Sequence, residues 1–280
     1  MYEPAGDLAA ALARDSPAAL VPDTSPLRAD LAAAGDRYVR SLVVGVGGRP
    51  GVGRDTMARA LRERLAVTAV GPGEDPDADA DVDVWVYVLT GPARAADVAA
   101  LHTLAADRTI VVLGKADTLD DADATVADVE RSVGRPVLAV SALLACADLS
   151  DDELDFLREL VAAGVPMPSM AGAFLAGAPT GSRQRAYRLA LLRRLDRRGI
   201  EIAMDLIADR DPVADAAATM NRELWAHSGI DAVVPAIAGH VDRVRYWRDV
   251  ELRSRLDRAA ARGPDRERVE ELLRTPGGVG

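Results

Sequence analysis

Ser41-Leu-Val-Val-Gly-Val-Gly47-Gly48-Arg-Pro-Gly51-Val-Gly53-Arg54-Asp55-Thr56 joins an apolar run to a glycine-rich turn, and an amphipathic stretch from Met57 to Leu65 follows. The spacing predicts a short buried strand over 41–47, a loop over 48–56 and a helix from Met57. Strand, glycine loop and helix in that order make a cradle for phosphate. Backbone N–H groups and the positive helix end converge on anionic oxygens, and glycines permit the close approach. Further apolar runs at Val82 to Leu89 and Arg135-Pro-Val-Leu-Ala-Val-Ser141 alternate with helical patterns. That alternation predicts an α/β fold with a mostly parallel sheet.

Among 34 basic residues only one is a lysine, Lys115, in Val-Val-Leu-Gly-Lys115-Ala-Asp117. Lysine differs from arginine in its flexible alkyl stem, which lies flat along a ring with its charge free. Two residues on, the Asp117 carboxylate can accept two parallel N–H bonds, a pair that guanine presents and adenine does not. Lys-x-Asp at the end of a buried strand therefore fits a guanine reader. The plainer alternative is that Asp117 opens the turn Asp117-Thr118-Leu119-Asp120 and Lys115 is an ordinary loop cation. Downstream, a backbone N–H at Ser141-Ala142-Leu143 is placed to meet a guanine carbonyl. Three elements at strand carboxyl ends fit the crevice where open α/β sheets bind ligands.

Glycine loop, Lys-x-Asp and Ser-Ala together resemble the first, fourth and fifth signature motifs of the GTPases of the Ras, Era and dynamin kind, over about Arg40 to Ala147. A Rossmann dinucleotide site fits worse, because Arg49-Pro50 follows Gly45-Val-Gly47 where a third glycine belongs. The resemblance implies a P-loop NTPase-like sheet and a GTP or GDP site. Its residues would be Gly48, Gly51, Val52, Gly53, Arg54, Asp55, Thr56, Lys115, Asp117, Ser141, Ala142 and Leu143.

The pattern is also broken. In the loop G-x-x-x-x-G-K-[ST], Arg54 stands for the lysine that bridges phosphates and Asp55 for the hydroxyl that coordinates magnesium. Asp55 is thus the one candidate metal ligand, and its carboxylate repels phosphates unless a cation intervenes. Between Leu65 and Val82 only Ala66 to Asp81 remain for the switch region. Val70-Gly71-Pro72-Gly73 resembles Asp-x-x-Gly with valine in place of the aspartate, and the first switch threonine has no counterpart. The expectation is weak or absent GTP hydrolysis.

With 280 residues, half of them apolar, the chain has material for a sizeable core. Its net charge of −10 is uneven: residues 1–181 carry 15 basic and 28 acidic groups, and residues 182–280 carry 19 and 16. The acidic half argues against nucleic acid as a partner. Glu74 to Asp83 alternates carboxylates without a calcium-loop spacing and reads as a solvated loop. The lone Cys146 excludes an intramolecular disulfide and fits a cytoplasmic protein, where it serves as a buried small hydrophobe. Met-Tyr-Glu-Pro is no signal peptide, and no run of eighteen apolar residues predicts a membrane span. His102, His227 and His240 lack ligand spacing.

Helices are predicted over Asp7–Arg14 and Ser25–Arg40, and another opens at the capping box Ser150-Asp-Asp-Glu153 and runs to about Ala163. Residues 165–181 read as a linker. From Ser182 onward Leu189, Leu192, Leu195, Ile202 and Leu206 fall on one helix face, a second helix starts near Pro212, and a third runs from near Ser228 to about Arg262, its arginines salt-bridged to neighbouring acids. The expected domains are 1–40, helices packing with the carboxyl-terminal ones; 41–164, the α/β domain; and 182–280, a helical neck. Ala226-His-Ser-Gly229-Ile-Asp231 resembles the segment after the GTPase domain of bacterial dynamin-like proteins, but trunk and membrane paddle are missing or greatly shortened, so lipid remodelling is not carried over. The resemblance implies a degenerate, dynamin-related GTPase-like protein partnering a second GTPase across the nucleotide face. An active atypical GTPase using Arg54 and Asp55, and a nucleotide-free scaffold, are the alternatives.

Overall fold

The computed structural model describes residues 22–25, 28–71, 82–119 and 121–262. The helix expected over 7–14 and all but the end of the acidic stretch beginning at Glu74 lie outside the described residues. Five strands form one all-parallel sheet: β1 (Val43–Gly48), β2 (Thr68–Val70), β3 (Val84–Leu89), β4 (Thr109–Gly114) and β5 (Val137–Val140), in the order β2-β1-β3-β4-β5. Every residue of β4 is buried, as a strand covered on both faces requires. Helices α2 (Arg54–Leu65), α3 (Ala95–Thr103) and α4 (Ala122–Val133) follow β1, β3 and β4. The order turns around β1, whose neighbours on its two sides are β2 and β3. Ligands of open α/β sheets bind at such a point, outside the strand carboxyl ends.

Two features of the sheet differ from the sequence expectation. Strand β2 had no apolar alternation to reveal it, and its three residues become a strand only through pairing with Val43 to Gly45. Helix α2 begins at Arg54 rather than Met57. Gly53, in the left-handed region at φ 94°, turns the chain straight into the helix, and the Met57 N–H donates to the Gly53 carbonyl at 2.9 Å. Arg54, Asp55 and Thr56 are therefore its first turn and not part of the loop.

Leu101 of α3 and Val129 of α4 close one side of the sheet against Tyr87, Leu89, Val111 and Leu113. Met57, Ala58 and Leu61 of α2 are fully buried. After β5 come the single turn α5 (Ala142–Ala145), then α6 (Asp151–Ala162), α7 (Ala171–Ala176), α8 (Arg183–Ala208) and α9 (Ala217–Ala226). Ser150 accepts the Glu153 N–H while the Glu153 carboxylate accepts the Ser150 N–H, so the predicted capping box is made. Leu144, Leu154, Leu157, Phe174, Leu191, Leu195 and Leu224 share a second apolar core.

That core changes the domain reading. Residues 43–238 form one compact unit, and residues 1–42 with 239–280 form another. The expected linker, 165–181, lies inside the larger unit, where Phe174 of α7 is fully buried. Burying a phenylalanine is worth roughly 1.5–3 kcal/mol, which a free hinge would forgo. The helical region from 182 is likewise split, with residues 182–238 belonging to the α/β unit.

Helix α8 does not present the single face expected. At Asp196 its backbone leaves the helical region (φ 57°, ψ −177°), so the two halves are out of phase. Leu191 and Leu195 before the break, and Ile200 and Ala203 after it, are buried, whereas Leu189 is 38% exposed. Gly199 permits the close approach after the break, since a Cβ there would stand 2.5 Å from a Leu144 methyl.

In the smaller unit, α1 (Arg28–Val39) and the part of α10 (Val233–Arg262) from Gly239 onward are its described helices. Leu31, Ala34, Leu252 and Leu256 are buried. Arg248 donates to the Arg40 carbonyl at 2.6 Å and the Ser41 carbonyl at 3.2 Å, satisfying acceptors just beyond α1. Arg37 pairs with Glu251 at 3.2 Å, and Arg253 with Asp249 at 2.9 Å. The expected salt-bridged face of the last helix is thus present, though part of it faces α1. Among the described residues no helix is long and apolar enough to cross a membrane.

Candidate nucleotide site

Three strand ends build the site. Beyond β1 the chain turns at Gly48 (φ 134°), where a Cβ would stand 2.5 Å from the Val88 carbonyl oxygen, so only glycine fits. Beyond β4, Lys115 adopts the left-handed conformation (φ 56°) and a 3₁₀ turn, Ala116–Thr118, follows. A non-glycine residue held there costs roughly 1 kcal/mol or more. Beyond β5, Ser141 leads into α5, and its N–H donates to the Ser228 carbonyl at 2.7 Å. Gly229 (φ 73°) makes that contact possible, because a Cβ there would meet the Ala139 carbonyl at 2.4 Å. The segment Ala226 to Asp231 is therefore a strut against the end of β5.

Val52, Gly53, Thr56, Lys115, Asp117, Ser141, Ala142 and Leu143 line one cavity, about 520 Å³ measured out to its open mouth, together with Met57, Val88, Gly114, Thr118 and Asp196. The Lys115 ammonium and the Asp117 carboxylate have no hydrogen-bond or ion-pair partner among the described residues. Ser141 is 3% exposed, and its hydroxyl is buried without a partner. Such a group costs roughly 1–3 kcal/mol unless something polar satisfies it. Because the Ser141 N–H is already taken, the N–H groups left for a carbonyl at this corner are those of Ala142 and Leu143 at the start of α5.

Gly48, Gly51, Arg54 and Asp55 do not line this cavity. Asp55 is exposed on the first turn of α2 and Arg54 is half-buried beside it. A magnesium ion needs several oxygen ligands in near-octahedral order. One exposed carboxylate does not fit that demand, and among the described residues no group of three His, Cys, Asp or Glu could hold a metal.

One cluster beside the cavity was not foreseen. Asp97 on α3 is fully buried, and its two carboxylate oxygens accept from Arg49 Nε at 2.8 and 2.9 Å. Tyr87 Oη donates to it at 3.1 Å, and the Arg94 N–H at 3.0 Å. Arg49 directly follows Gly48, so this cluster ties the glycine loop to β3 and α3. The available signal was a lone acid in the apolar string Ala95-Ala-Asp97-Val-Ala-Ala-Leu101.

Burial first, and the Asp97 carboxylate second, push the Tyr87 phenol up to about 12. The unfolded chain releases that proton near pH 10. The folded state still holds it there, so the stabilisation is complete below pH ~10 and is lost as pH rises towards ~12. Urea midpoints of the wild type should fall through that window, and Tyr87→Phe should remove most of the fall. Identical alkaline profiles for the two proteins would exclude a perturbed Tyr87.

Cys146 is buried, and burial pushes its thiol up, partly offset by Arg59, which suits an inert packing residue. His227, just past the end of α9, stands 3.5 Å from the Glu223 carboxylate.

No protein-family model matches the chain, and no curated protein is similar enough in sequence to match it.

Proposed function

We propose that the chain is a guanine-nucleotide-binding protein with a P-loop GTPase-like fold, reading the base well and the phosphates poorly, with little or no hydrolysis of its own. The observation that carries this reading is the convergence of Lys115, Asp117 and Ser141 on the cavity that Gly53 and Thr56 also line, with the two charged groups and the Ser141 hydroxyl lacking partners among the described residues. Asp117 would accept the paired N–H groups of guanine, the Lys115 stem would lie on the ring, and an N–H of Ala142 or Leu143 would meet its carbonyl. Sheet order is compatible with the P-loop class, with the switch region reduced to β2 and the short segment between it and β3. Since Arg54 and Asp55 stand outside the cavity, an active GTPase built on them is less well supported.

Such a protein serves as a regulatory or structural partner of a second GTPase, meeting it across the face that carries the nucleotide. Phosphoryl transfer needs positioned water and neutralised charge, and an exposed Asp55 provides neither.

Thermal melting with GTP, GDP, ATP and buffer, each with and without magnesium, tests the reading. GTP and GDP at about a hundred times their Kd should raise the melting temperature by roughly 5–10 °C, nearly independently of magnesium, while ATP leaves it unchanged. Equal shifts with ATP, or none with either guanine nucleotide, would sink it. So would turnover typical of a competent GTPase that Asp117→Ala abolishes.

A further inference from the structure

We propose that Asp196 is a second recognition carboxylate of the nucleotide cavity, placed there by the break in α8 to accept hydrogen bonds from the ribose hydroxyls. The proposal rests on the guanine-nucleotide reading above.

Asp196 lines the cavity although it belongs to a helix far beyond Lys115 in sequence. Its helix packs against the 3₁₀ turn that carries Asp117. The residue is half-buried, and one carboxylate oxygen accepts the Arg197 N–H at 2.7 Å. The other oxygen has no partner among the described residues, and no arginine there is paired with the carboxylate. Its backbone, at φ 57° and ψ −177°, is one that glycine adopts readily and aspartate does not. In the same wall the Ser141 hydroxyl is buried without a partner, so the lining holds polar groups that a polar ligand satisfies.

The chemistry selects the ligand part. A carboxylate only accepts, so it opposes phosphate and pairs with donors. On a guanine nucleotide the donors are the N–H pair of the base, which Asp117 faces, and the two ribose hydroxyls. Asp196 is thereby the residue that makes the site select a ribonucleotide.

Calorimetry of the full chain with GDP and with 2′,3′-dideoxy-GDP, in the wild type and in Asp196→Gly, is the test. The wild type should bind GDP about tenfold more tightly than the dideoxy analogue. Asp196→Gly should bind both alike, at the weaker affinity, while melting at a higher temperature because glycine relieves the backbone. The raised melting temperature shows that the variant is folded. GDP binding without discrimination in the wild type, or discrimination retained in Asp196→Gly, overturns the role of Asp196 and leaves the nucleotide reading intact. If the wild type binds no guanine nucleotide, both fall.

Discussion

Asp117→Ala should weaken GDP binding by about a hundredfold and erase the preference for guanine over adenine nucleotides. Two hydrogen bonds from ligand N–H groups to an ionised acceptor contribute roughly 1.5 kcal/mol each, and 1.4 kcal/mol is a factor of ten. The same substitution should leave the ligand-free melting temperature nearly unchanged, because the carboxylate is part-exposed and has no partner among the described residues. This combination separates the guanine reader from its plainer alternative. An aspartate that merely opens a turn would cost stability when removed and would not alter selectivity. Titration calorimetry with GDP and ADP, beside a melting curve of the free protein, decides between the two. A hundredfold loss accompanied by a large drop in melting temperature would count against the reading, since general damage would then explain it.

Asp97→Ala should be the most destabilising single change near the site, costing about 3–5 kcal/mol and lowering the melting temperature of the larger unit by roughly 10 °C. The carboxylate is fully buried and receives four hydrogen bonds, two from one arginine nitrogen. Removing it strands the mostly buried Arg49 and the Tyr87 hydroxyl in a poorly solvated place. Replacing both ends, as in Arg49→Met with Asp97→Leu, should cost less than the sum of the single changes, because the charges go together. Nucleotide binding should fall with Asp97→Ala as well, since Arg49 anchors the turn that leads to Gly53. A loss below about 1 kcal/mol would mean that the cluster is a surface-like pair, contrary to its burial.

Much of the α/β unit was legible in the chain because parallel strands covered on both faces are continuous apolar runs. Val43 to Gly48, Val84 to Leu89 and Val137 to Val140 are such runs, and Gly51 and Gly53 between β1 and α2 mark a turn whose positive φ angles side chains rarely adopt. Lys115, Asp117 and Ser141 were legible for a different reason: each closely follows a strand, so parallel pairing brings them to one edge. Strand β2 was not, since three residues without alternation carry no periodic signal. The helical face proposed for 189–206 failed at Asp196, where a residue without any breaker signature leaves the helix. Such a break costs local free energy and is held by contacts distant in sequence, which a window of neighbours does not contain.

From its sequence alone this chain determined where strands, caps and the glycine turn fall, because those depend on side-chain size, polarity and backbone freedom within a few residues. Only the tertiary structure decided that residues 165–238 join the α/β unit, that Asp97 holds the glycine loop through Arg49, and that Asp196 reaches the cavity of Asp117. The physical reason is range. Propensity and hydrophobic period act over one or two turns, whereas burial and ion pairing reward whichever distant residues the folded chain brings into contact.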